Sequence, residues 1–131
     1  MKDKPKIVIT VGDEAGVGPE IILKALASKD IPKHINILIV GNKKNLISKY
    51  LFLKSLGIEK IANPNQLKIE DLTISTASVK EPSNYTGNAS FLYLKHAIEI
   101  VKKTSNAALV TSPICKKLWN SAGHNYSGQT E

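Results

Sequence analysis

Three short runs of β-branched and aliphatic residues, each stopped by a turn residue, constrain this chain more than anything else in it. They are Lys6-Ile-Val-Ile-Thr10 before Gly12, Ile35-Asn-Ile-Leu-Ile-Val40 before Gly41, and Ala107-Ala-Leu-Val-Thr111 before Pro113. Near-continuous apolar runs of this kind predict strands covered on both faces, as in parallel sheets. Parallel strands need crossover helices, and helix-period sequence lies where those helices are required. Gly18, Pro19 and Glu20 open the first, with Ile21, Ile22, Ala25 and Leu26 as its apolar stripe, and Asp30 to Pro32 closes the unit. Asn42 caps a second helix, which carries Leu46, Ile47, Tyr50 and Leu51, with Leu53 and Leu56 as further apolar positions, and ends at Gly57. The pattern weakens from Ile58 to Val79, with a turn at Pro64 and a strand expected around Leu72 to Thr76. Glu81 to Gly87 reads as a polar loop. Phe91, Leu94, Ile98 and Val101 then mark a long amphipathic helix ending near Lys102-Lys103, and Cys115 to Ala122 reads as a short helix closed by Gly123. The alternation implies a layered α/β fold with a largely parallel sheet, in one domain over residues 1–131.

Composition narrows the function classes. The 131 residues hold 18 Lys, no Arg and 11 acidic residues, for a formal charge of +7. The lysines are dispersed, paired only at 43–44, 102–103 and 116–117, and without Arg there is no bidentate guanine or phosphate fork. A solvated basic surface is therefore expected rather than a nucleic-acid stripe. No run of about 18 apolar residues could span a membrane, and Met1-Lys-Asp-Lys-Pro-Lys6 lacks the apolar stretch of a secretory signal, so a cytoplasmic protein is expected. One cysteine, Cys115, cannot form an internal disulfide, and a small hydrophobe is its ordinary role. His34, His96 and His124 show no metal-ligand spacing; of the three, His124 lies nearest a candidate site segment.

In open α/β sheets ligands gather beyond the carboxyl ends of the strands. Three segments fall there: Val11 to Glu20, Thr111 to Lys117, and Tyr126 to Glu131. In the first, Gly12, Gly16 and Gly18 are spaced Gly-x3-Gly-x-Gly, which is neither a dinucleotide fingerprint nor a P-loop. It is a cleft loop, comprising Gly12, Asp13, Gly16, Gly18 and Glu20, or equally a tight turn before a capped helix. In the second, Lys116 or Lys117 is suited to an anionic group as a point charge, the alternative being a solvated pair. No catalytic residue and no metal ligand is assigned from the residues.

Taken together, Gly12-Asp-Glu-Ala-Gly-Val-Gly-Pro-Glu20, Ala108-Leu-Val-Thr-Ser-Pro-Ile-Cys-Lys116 and Gly123 followed by Gly128-Gln-Thr-Glu131 resemble the 4-hydroxythreonine-4-phosphate dehydrogenase family of pyridoxal-phosphate biosynthesis. The first block is shared in weaker form with isocitrate and isopropylmalate dehydrogenases. The resemblance implies a three-layer α/β/α fold like theirs, here truncated, since the chain covers well under half of the family's usual length and stops within the third motif. It is thus expected to be a fragment or a shortened product, inactive alone. The implied reaction is NAD-dependent oxidation and decarboxylation of 4-phosphooxy-threonine with a divalent metal (zinc, magnesium or cobalt), whose histidine ligands lie downstream in the family and have no counterpart here. The implied substrate residues are Gln129, Thr130 and Lys116. Two departures stand out: Glu14 replaces the family's Pro, and Gln129 replaces its His, which removes any proton-transfer role there. The expected partners are a small phosphorylated substrate and either a second copy or a complementing chain. The alternative is a non-catalytic α/β module that binds a small anion or a partner chain.

Overall fold

The computed structural model describes residues 4–72 and 83–131. The three apolar runs form strands β1 (Lys6–Thr10), β2 (Asn36–Gly41) and β4 (Ala107–Thr111), and a short strand, β3, covers Ile69–Asp71. All pairings are parallel, in the order β3-β2-β1-β4. Helices α1 (Gly18–Ala25), α2 (Lys43–Ser55), α3 (Asn84–Lys103) and α4 (Lys116–Ser121) connect and follow them. The chain steps from β1 to β2 to β3 in one direction and returns past β1 to β4. Right-handed crossovers therefore lay α1 and α2 on one face and α3 on the other, with α4 packed against α3. This is the three-layer α/β/α arrangement expected. Its core is built from Val8, Leu23, Ile39, Leu46, Leu53 and Tyr93, each nearly or fully excluded from solvent.

Asn42 caps α2 as its sequence predicts, its side chain accepting from the Lys44 and Asn45 backbone N–H groups. Four expectations are corrected. The strand expected at Leu72 to Thr76 lies earlier, at Ile69–Asp71; Leu72 is outside it, and residues 73–76 are outside the described residues. The loop expected over Glu81 to Gly87 gives way to helix at Asn84, because Ser83 and Thr86 close a reciprocal capping box; residues 81–82 are outside the described residues. On α1 the buried residues are Gly18, Pro19, Ile22 and Leu23, whereas Ile21 and Ala25 are exposed. An eight-residue helix buries a narrower strip than the stripe drawn from its sequence. On α2, Leu51 and Leu56 also face solvent.

Candidate functional site

The β1–α1 turn is shaped by glycines that leave no room for a side chain. Gly12 has φ +74°, and a Cβ there would lie 2.3 Å from the Pro113 carbonyl oxygen; at Gly18 it would lie 2.1 Å from the Val11 carbonyl oxygen and 3.1 Å from Ser112 Cβ. The turn is thus filled by the β4–α4 loop, and its backbone is closed by Asp13 N–H donating to the Pro113 carbonyl (3.0 Å) and Gly16 N–H donating to the Asp13 carbonyl (2.9 Å). Asp13, buried, accepts from the Ala15 N–H on one carboxylate oxygen (3.0 Å) and from the Thr86 hydroxyl on the other (3.2 Å). Glu14, also buried, accepts from the Tyr93 hydroxyl and the Asn45 side-chain amide. Burial pushes the Glu14 carboxyl above its ordinary range, the two donors working against that push and Asp13 and Asp71 adding to it. The Tyr93 phenol is pushed far up by its own burial and by Glu14, so it stays a donor.

The third segment reaches the same place. Gln129 Nε2 donates to the Ser112 carbonyl (3.2 Å), while its buried Oε1 has no hydrogen-bond partner among the described residues. The Lys116 side chain runs along Gly128: a Cβ on that glycine would lie 3.7 Å from its Cε and 4.0 Å from its Nζ. Gly12, Asp13, Gly18, Ser112, Lys116 and Gln129 are therefore brought together beyond the carboxyl ends of β1 and β4. Gly16, Thr130 and Lys116 are exposed at its rim. Glu20 is not joined to the other two segments; its carboxylate pairs with Lys24 one turn along α1 (2.8 Å). His124 stacks on Phe91 (3.7 Å between ring centroids) and bonds Asn88 (2.8 Å), so its contacts are with α3. Gln129 also borders a 240 Å³ cavity walled by Phe91, Trp119 and Tyr126. Missing from the sequence reading are the partners of Glu14 and Asp13 and the Ser112 carbonyl; a backbone acceptor has no sequence signature.

The implied metal does not find a ligand set in the described residues. Among the described residues no three His, Cys, Asp or Glu side chains are grouped to hold a metal ion. The space beside Gly12 and Gly18 is taken by the backbone of Pro113 and Val11 and by Ser112. No helix of the described residues is long and apolar enough to cross a membrane.

Comparison with known proteins agrees with the fold and with the family resemblance. A 4-hydroxythreonine-4-phosphate dehydrogenase of Nostoc sp. is 40% identical over 136 residues, covering 99% of this chain and 38% of its own length. A protein of Oceanobacillus iheyensis provisionally named D-threonate 4-phosphate dehydrogenase is 35% identical, with 100% and 43% covered. The crystal structure of a 4-hydroxythreonine-4-phosphate dehydrogenase from Burkholderia phymatum superposes with a TM-score of 0.82 at 26% identity, over 99% of this chain and 42% of that one. The chain thus spans about two-fifths of the length of these relatives. The family model described as Pyridoxal phosphate biosynthetic protein PdxA matches residues 33–131, which takes in β2 through the Gln129 segment. That match covers well over half of the sequence, and the chain belongs to this family.

Proposed function

We propose that this chain forms one wall of the substrate site of an NAD-dependent 4-hydroxythreonine-4-phosphate dehydrogenase, acting in the oxidation and decarboxylation of 4-phosphooxy-threonine. The observation that carries the reading is the meeting of its three motif segments at the Ser112–Pro113 backbone, through Asp13 N–H, Gly12, Gly18 and Gln129. Within that wall Lys116 takes an anionic group of the substrate as a point charge, with the Thr130 hydroxyl beside it. Gln129 has a different task. One N–H of its amide serves the Ser112 carbonyl, which leaves a second N–H and the Oε1 acceptor, so it can accept from a hydroxyl or ammonium group as well as donate to an anionic one. In this reading the divalent metal and the hydride acceptor are held by the remainder of a longer protein or by a complementing chain, since the described residues group no metal ligands.

Calorimetric titration of the chain with 4-phosphooxy-threonine tests the reading, alongside an NAD-reduction assay with added zinc, magnesium or cobalt. Weak binding is expected that Lys116→Met lowers about fivefold, the equivalent of roughly 1 kcal/mol for an exposed charge contact. No NAD reduction by the chain alone is expected. Metal-dependent turnover would overturn the placement of those groups elsewhere, and negligible heats with both forms would reject the substrate wall. The second outcome favours a non-catalytic module that docks a partner chain, a reading supported by β4, which among the described residues has a strand on one side only and exposes Val110.

A further inference from the structure

Glu14 of the β1–α1 turn hydrogen-bonds with its side chain to both outer layers. One carboxylate oxygen accepts from Tyr93 on α3 and the other from Asn45 in the first turn of α2, helices on opposite faces of the sheet. A buried carboxyl is costly unless its oxygens are satisfied, so the two donors from α2 and α3 make burial of Glu14 tolerable at this position of the turn. The adjacent residue continues the connection: Asp13 N–H holds the Pro113 carbonyl, and the neighbouring Ser112 carbonyl is the acceptor for Gln129. A proline at position 14, which the family resemblance gives, would fix only its own φ. Glu14 fixes where the turn lies relative to two helices.

We propose that Glu14 is a positioning residue of the candidate substrate wall, locking the Gly12–Gly18 turn onto α2 and α3 and thereby setting the Ser112 carbonyl that orients Gln129. The word substrate rests on the function proposed above; the locking does not.

Hydrogen exchange of the 131-residue chain, read by segment, tests it together with the NMR signal of the Gln129 side-chain amide, both without ligand. Glu14→Ala is expected to speed exchange of residues 13–18 and 112–115 at least tenfold, to leave β2 within about twofold, and to shift the Gln129 amide signal. Glu14→Gln keeps an acceptor for Asn45 and a donor toward the Tyr93 oxygen, and is expected to restore most of the protection. Tyr93→Phe keeps the ring packing and removes one donor; it should loosen the same segments by a smaller factor, and it serves if Glu14→Ala does not fold. Equal acceleration in every segment, no acceleration in residues 13–18, an unmoved Gln129 signal, or Glu14→Gln as damaging as Glu14→Ala would each overturn the proposal. Since no substrate is present, a failure here is distinct from a failure of the titration above.

Discussion

Gly12 and Glu14 stabilise the same turn by opposite chemistry, one by having no side chain and the other by burying a carboxyl that donors from two helices satisfy. Replacing Gly12 with Ala imposes a left-handed φ on a Cβ and drives it against the Pro113 carbonyl oxygen at 2.3 Å. Left-handed strain of about 1–2 kcal/mol and a clash of about 1–3 kcal/mol predict a loss of roughly 2–5 kcal/mol, measurable by urea denaturation. A change below 1 kcal/mol would mean that the two loops separate readily. Glu14 predicts a pH dependence. Its carboxyl lies above the ordinary value of 4.5 in the folded chain, mainly through burial, with Asp13 and Asp71 adding to the rise and Tyr93 and Asn45 opposing it. A raised folded value means a contribution fully present below about pH 4.5 and lost as pH climbs through the folded value. Stability measured from pH 4 upward should therefore decline more in the wild type than in Glu14→Gln, and parallel curves would contradict it. The sequence made the turn visible through its glycines and the order of its three motifs. It could not show that Glu14 meets Asn45 and Tyr93, which lie 31 and 79 positions away. Local sequence carries no signal for pairs so distant.

Elements were legible in proportion to how much of their burial is local. β1 and β4 fall at the bounds drawn from their apolar runs, and β2 within one residue, because a fully covered strand declares itself by composition alone. β3, three residues with a single apolar one, has no such signature; its place is decided by pairing Ile69 with Ile39. The start of α3 was hidden for another reason. Gly87 reads as a loop residue, yet it sits in the first turn of the helix where a Cβ would come within 2.7 Å of Leu118 Cβ on α4. Close helix packing, not chain reversal, is what requires glycine there. The same turn carries Thr86, which completes the capping box with Ser83 and donates to Asp13. Thr86→Val keeps the volume but leaves a buried carboxylate oxygen short of a donor, so a loss of about 1–3 kcal/mol is expected. Ser83→Ala, which removes only cap contacts, should cost about 1 kcal/mol. Equal losses in the two variants, measured by denaturation, would show that the Asp13 contact contributes nothing beyond the cap.

Across the whole molecule the open features are an edge, a patch and a charge. Among the described residues β4 is bonded to β1 alone, and its alternate residues Ala108 and Val110 are exposed, Val110 by 46%. On α2, Leu51, Phe52 and Leu56 are exposed by 61%, 54% and 60%. A strand edge with uncovered apolar residues is a template for pairing, which favours association with a second copy or a complementing chain. The net charge of +7 opposes association between copies. Which effect wins depends on ionic strength, since the screening length falls from about 30 Å at 0.01 M to about 8 Å at 0.15 M salt. The chain is therefore expected to be monomeric in dilute buffer and to self-associate as salt and concentration rise, a trend that light scattering behind gel filtration would follow. Val110→Lys, which places another cation on the exposed face of the edge strand, should suppress that association, whereas Leu51→Lys should suppress it only if the α2 patch is the contact. If both variants associate like the wild type, β4 and α2 are not the contact surfaces; if the wild type stays monomeric at high concentration in both salts, neither surface drives self-association.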